Sequence, residues 1–146
     1  MGADRMRLAT QDDKPELFRM GKEFYLHSGY QDKGEFNETI LDSVFDQLIS
    51  GECLLIADGG MIGWLVFPVF MTGTLVAQEL FWWVDEDKRD SGLGRELLKA
   101  AEEKAKNQGA NSMIMICLDE LEPDKAEAIY GKMGYQPRER TFMRTL

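Results

Sequence analysis

From Leu17 to Leu48 apolar side chains recur every three or four positions, whereas from Cys53 to Val84 they form continuous or alternating runs, and the two patterns require different backbones. A short apolar segment, Met6 to Ala9, reads as an opening strand. It leads into Thr10-Gln11-Asp12-Asp13, a polar cluster of the kind that starts a helix, and Leu17, Phe18, Phe24 and Tyr25 then keep helical spacing up to His27-Ser28-Gly29. Asn37 is placed to cap a second helix, whose stripe of Ile40, Leu41, Val44, Phe45 and Leu48 ends at Ser50-Gly51.

Cys53 to Ala57, the turn Asp58-Gly59-Gly60 and Met61 to Phe70 then make the pattern of a β-hairpin. A loop at Thr72-Gly73-Thr74 precedes a third long strand, Leu75 to Val84, rich in β-branched and aromatic residues. After the polar stretch Asp85 to Ser91, an amphipathic helix carries Leu93, Leu97, Leu98, Ala101 and Ala105 on one side and stops at Gly109. Ser112 to Leu118 reads as a buried strand. Pro123 to Met133 reads as a short helix with Ala126, Ile129, Tyr130 and Met133 on one face, and Tyr135 onward as closing strands. The order β-α-α-β-β-β-α-β-α-β defines an α/β (α+β) fold with a mixed central sheet of six to seven strands and helices on both faces. With 146 residues and no internal repeat, the expectation is one domain over residues 1–146.

Composition narrows the function. Hydrophobic residues at 44% and charged residues at 29% are those of a globular protein, so no disordered or fibrous class applies. The net charge of -9 would repel a phosphate backbone, which excludes nucleic acid as a partner; it suits a cationic acceptor such as an amine, and equally plain solubility. Cys53 and Cys117 lack any C-x-x-C spacing and read as small buried thiols, pointing to a reduced, cytoplasmic setting. Met1 to Met6 lacks an apolar signal core, and the longest apolar run, Met61 to Phe70, is too short for a bilayer and contains Pro68, so no membrane is expected. The lone histidine, His27, reads as a surface or capping residue, and no metal site can be assembled from it and two isolated cysteines.

The chemistry concentrates between the third long strand and the following helix, in Val84-Asp85-Glu86-Asp87-Lys88-Arg89-Asp90-Ser91-Gly92-Leu93-Gly94. At a helix start successive N–H groups have no intrahelical partner and point outward together, so such a turn attracts an anion. Gly92 and Gly94 permit close backbone approach, and Arg89 and Arg95 add charge that a pyrophosphate can use. Two other phosphate motifs are excluded: Leu97 stands at the third glycine position of the dinucleotide fingerprint, and no G-K-[ST] follows.

Here the sequence resembles the GNAT superfamily of acyl-CoA-dependent N-acyltransferases. Its motif [QR]-x-x-G-x-[GA], after a strand ending here in Trp82-Trp83-Val84, is matched by Arg89, Gly92 and Gly94. Its terminal motif [FLI]-Y-x-x-x-G-[FY] is matched by Ile129-Tyr130-Gly131-Lys132-Met133-Gly134-Tyr135. The resemblance implies an N-acetyltransferase that moves an acetyl group from acetyl-CoA to a primary amine of a small molecule (a small amine, an antibiotic or a polyamine) or of a peptide lysine, by direct attack in a ternary complex. The alternative it allows is a non-catalytic acyl-CoA-binding or regulatory module. It further implies that the pantetheine arm bonds to the exposed edge of Trp82, Trp83 and Val84, and that the pyrophosphate sits on the amides of Arg89, Asp90, Ser91, Gly92, Leu93, Gly94 and Arg95. Homodimers are common in this fold, so a homodimer is compatible with the resemblance.

By the same resemblance Tyr130 is the general acid beside the thioester sulfur. Glu79 is the one carboxylate inside the strand bordering the site and can serve as general base; Gln78 on the opposite face, exposed by a bulge, and a water relay are the other two possibilities. Asp90 departs from the glycine or basic residue common at its position, and Asp119 to Asp124 lacks the asparagine that often holds pantetheine. Leu118 stands where N-terminal acetyltransferases of the ribosomal type place a glutamate, which disfavours that subfamily. Tyr25, His27, Tyr30, Glu35, Phe36 and Glu38 occupy the region where the family sets acceptor specificity.

Overall fold

In the computed structural model, which describes residues 6–146, the hairpin signal is met by a two-residue turn: Gly59 takes φ +81°, joining β2 (Leu54–Ala57) to β3 (Gly60–Pro68). The readings placed on Met1 to Arg5 lie outside the described residues. β1 (Met6–Leu8) pairs antiparallel with β2, β3 pairs antiparallel with β4 (Leu75–Val84), and β5 (Met113–Ile114) runs parallel to β4. The sheet order is therefore β1-β2-β3-β4-β5. A parallel neighbour needs a long crossover, and α3 (Leu93–Asn107) supplies it.

α1 (Lys14–His27) and α2 (Glu38–Ser50) cover one face of the sheet, where Leu17, Met20, Phe45 and Leu48 bury against Ile56, Met61, Phe81 and Trp83. The Asn37 side chain caps α2 as the sequence requires, accepting from the Ile40 N–H at 3.0 Å. Lys14 pins α1 to α2 through Asp42 at 2.7 Å and through Asp46. On the other face Leu97, Leu98 and Ala101 of α3, with Tyr130 of α4 (Pro123–Lys132), pack on Leu55, Ile62, Trp64 and Ala77. Each large aliphatic or aromatic side chain buried in this way contributes about 1.5–3 kcal/mol relative to exposure.

The fold class is the expected one, but the sheet has five strands among the described residues instead of six to seven. β3 stops at Pro68, where the chain turns through Val69 to Thr74, closed by the Val69 N–H to Thr74 C=O bond at 2.8 Å. β5 pairs over only two residues, because it separates from β4 directly after Gln78↔Ile114. From Tyr135 onward the chain forms no strand. A two-residue template offers little edge to build on, Pro137 lacks a donor, and Phe142, Met143 and Leu146 are left exposed.

Candidate active site

Gly63 sets the geometry of the site. A Cβ there would come within 2.6 Å of the Phe81 ring and 2.9 Å of Leu48, so only glycine lets Phe81 cross it. At this point the β3–β4 register slips: Trp64 faces Glu79, Gly63 faces Phe81, and Leu80 is left over as a bulge. Directly beside the bulge β4 and β5 part, and Glu79 occupies the opening. Its side chain is 5% exposed, and its Oε1 accepts from the Ile116 N–H at 3.2 Å. Across the same peptide segment, the Tyr130 hydroxyl donates to the Ile116 carbonyl at 2.9 Å. Glu79 and Tyr130 are thus brought together on one residue of the diverging strand. Gln78 keeps its place in the ladder, paired with Leu65 and Ile114.

Burial dominates the electrostatics of both groups. It pushes the Glu79 carboxyl up to about 7, with the Ile116 N–H opposing the rise. Burial, and then the charge of Glu79, pushes the Tyr130 phenol well above the usual range, so it stays protonated at neutral pH. The Trp82 indole stacks on Tyr130 with centroids 5.8 Å apart and donates to the Gly94 carbonyl at 3.0 Å, locking the ring between β4 and α3.

The outer edge of β4 beyond the bulge has no neighbouring strand. Asp85 donates its N–H to Gly59 C=O at 2.7 Å, toward β3, so by alternation Trp83 also faces β3 while Trp82 and Val84 turn their peptide groups to the opening. The Trp83 indole lies on the α1 side, donating to Asp85 at 2.8 Å and stacking with His27 at 6.1 Å. His27 itself is exposed beside Glu23, 3.2 Å away.

In the turn, Asp90 at φ +68° and Gly92 at φ +89° reverse the chain so that Gly92 caps α3. The Ser91 hydroxyl donates to the Lys88 carbonyl at 2.5 Å and accepts from the Leu93 N–H at 3.3 Å. Gly94 lets the first turn of α3 sit against β4, its absent Cβ lying 3.4 Å from Trp82 and Val84. Arg95 is exposed on that turn. Arg89, in contrast, folds inward: it donates to the Val84 carbonyl at 2.9 Å and to Glu122 at 3.1 Å, and its guanidinium lies 4.8 Å over the Trp83 ring. Asp90 points toward α4, paired with Lys125 at 3.1 Å. Sequence reasoning missed Glu122 and the Ile116 peptide; an acidic run at Asp119 to Asp124 is the only local sign of the first, and the second has none.

A cavity of about 420 Å3 opens on the α1–α2 face of the sheet, its wall reaching Leu80, the residue after Glu79. Tyr25, Tyr30, Glu35 and Phe36, named above for acceptor specificity, line it together with Leu80 and Phe81 of β4; His27 and Glu38 do not. Burial and then the Glu79 charge raise the Tyr30 phenol, so the carboxylate is felt from this side as well as from Tyr130. Among the described residues no cluster of potential metal ligands occurs, and no helix is long and apolar enough to cross a membrane.

A mixed sheet that splits beside an amide-lined turn, with a carboxylate and a phenol in the split, is the scaffold that the resemblance to acyl-CoA-dependent acyltransferases implies. The chain matches the Acetyltransferase (GNAT) family over residues 16–135, and it belongs to that family. Comparison with curated protein sequences returns no match. Solved structures sharing the fold include a transcriptional regulator from Bacillus halodurans C-125, with TM-score 0.76 and 18% identity, covering 97% of this chain and 98% of that one. A Trypanosoma brucei acetyltransferase gives TM-score 0.65 at 18% identity over 97% and 98% of the two chains. AAC(6')-Iy in complex with a CoA-S-monomethyl-acetylneamine bisubstrate analogue gives 0.73 at 14% identity over 97% and 96%.

Proposed function

We propose that the protein is an acetyl-CoA-dependent N-acetyltransferase acting on a primary amine by direct attack in a ternary complex. The observation that carries this reading is Glu79: a buried carboxyl with a pKa near 7, in the opening between β4 and β5, sharing the Ile116 peptide segment with Tyr130. A group titrating there is partly ionised at neutral pH and takes the proton that the nitrogen sheds as it bonds to the carbonyl carbon.

With one ammonium proton already released to solvent, the amine lone pair attacks the acetyl carbonyl carbon, forming the C–N bond, and the nitrogen loses its second proton to Glu79. Collapse of the tetrahedral intermediate breaks the C–S bond. Tyr130 gives its proton to the departing thiolate, and the two side chains return to their starting states by exchange with solvent. The pantetheine arm bonds to the outward peptide groups of Trp82 and to the Val84 N–H, the Val84 carbonyl being held by Arg89. The pyrophosphate takes the amides from Asp90 to Arg95, that of Leu93 in exchange for its bond to the Ser91 hydroxyl, with the Arg95 guanidinium beside them and the Arg89 Nη1 available once it leaves Glu122.

The test is thiol release from acetyl-CoA across an amine panel, alongside a thermal shift with CoA. Amine-dependent thiol release is the expected result. A thermal shift with no release for any amine would replace the enzyme by the non-catalytic acyl-CoA-binding module.

A further inference from the structure

The cavity beside Glu79 is poor in charge. Its wall is built from Phe24, Tyr30, Phe36, Leu41, Val44 and Leu80. Tyr25 adds only its ring, because its hydroxyl is spent on the Gly34 carbonyl at 2.8 Å. The charged members are one acid, Glu35, and one base, Lys33, whose ammonium lies 4.0 Å over the Tyr30 ring. The chain as a whole carries -9, so the shortage of acid is local to this cavity.

An acceptor with several ammonium groups needs a carboxylate for each once water is removed, and here a second ammonium meets Lys33. An apolar body gains by leaving water in the same place. The volume of about 420 Å3 lies in the range of about 300–1,000 Å3 usual for small-molecule sites. The cavity lies beside the chemistry: the bulge puts Leu80 in its wall, Glu79 is the adjoining residue of β4, and the Glu79 charge reaches the Tyr30 phenol that lines it.

We infer that the acceptor is a monoamine with an aryl or branched-alkyl body that fills this cavity and directs its nitrogen toward Glu79. The inference deepens the acetyltransferase reading and rests on it. The experiment compares kcat/KM, by thiol release, for 2-phenylethylamine and 3-methylbutylamine with those for spermidine and neamine. A second arm titrates 2-phenylethylamine calorimetrically into the protein saturated with CoA. Both arms are repeated with Ile40→Trp, which narrows the mouth from a position that is 60% exposed and so leaves the core intact.

The apolar amines should be preferred by about 100-fold, the effect of withdrawing about three to four methylene equivalents from water. Ile40→Trp should raise their KM about 10-fold and leave the KM for acetyl-CoA in place. Preferred turnover of spermidine or neamine would overturn the inference while the acetyltransferase reading stood. If no amine released thiol, that reading would fall and calorimetry would decide for the cavity alone. Saturable binding weakened by Ile40→Trp would uphold it as an apolar-amine site, and no heat would overturn it.

Discussion

Replacing Glu79 by glutamine separates its charge from its shape, since the amide carbonyl can still accept from the Ile116 N–H that Glu79 engages at 3.2 Å. The wild-type carboxyl titrates at about 7 in the fold against 4.5 for the free side chain. Between those pH values the folded state holds a proton that the unfolded chain has released, so stability falls as pH rises through this window and levels off above it. At about 1.4 kcal/mol per pH unit, the full penalty for ionising the buried acid is about 3 kcal/mol. Glu79→Gln has no such penalty. It should exceed wild type in stability by about 3 kcal/mol near pH 8.5 and by less than about 1 kcal/mol near pH 5.

Urea unfolding of both proteins at several pH values, with m compared at each, measures this directly. In kinetics the same variant should lose about 100-fold or more in kcat/KM, and the ascending limb of the wild-type pH profile, centred near pH 7, should vanish. A stability difference that did not change with pH would refute the raised pKa. A pH-dependent gain in stability with unchanged activity would leave Glu79 as a buried carboxyl without a part in catalysis.

Tyr130→Phe removes the donor to Ile116 and to the leaving thiolate: stability should drop by about 1 kcal/mol, kcat by about 10-fold or more, and the calorimetric Kd for CoA should not move. Gly92→Ala should lose about 1–2 kcal/mol in urea unfolding because φ is +89° there. Gly94→Ala, whose new methyl meets the Trp82 and Val84 side chains at an ordinary 3.4 Å, should keep its stability within about 1 kcal/mol in urea unfolding. Glu122→Gln frees Arg89 for the pyrophosphate and should tighten CoA binding about 3-fold at low salt, less at high salt; weaker binding would show that the ion pair positions the turn.

What could be read from the chain in advance is what is decided over a few neighbouring residues. β4 runs from Leu75 to Val84 as its content of β-branched and aromatic residues indicated, and Asn37 caps α2 because a side chain and an amide three residues away suffice for that bond. The glycines of the turn likewise declared a left-handed backbone and a close approach, and Gly92 and Gly94 supply one each. Strand length was legible only where a partner existed. Ser112 to Leu118 has the apolar content of a strand, but hydrogen bonding needs β4 alongside, and that neighbour departs after Ile114.

The placing of Gln78 and Glu79 illustrates the limit. Counting alternately along Leu75 to Val84 puts Gln78 and Glu79 on opposite faces and cannot say which one borders the opening. The answer depends on Leu80 being squeezed out as a bulge, and that depends on Gly63, in another strand, being too small to hold Phe81 away. The same holds for Arg89, whose motif position advertised a phosphate ligand while Glu122, brought near by the turn into α4, claims its guanidinium. A motif records which residue can act, whereas the partner that holds it in reserve comes from elsewhere in the chain. Gly63→Ala tests this dependence without touching the site: the methyl, 2.6 Å from Phe81, should cost about 1–3 kcal/mol and shift the bulge. If its activity survived with the pH limb near 7 intact, Glu79 would owe its position to something other than the glycine beside it.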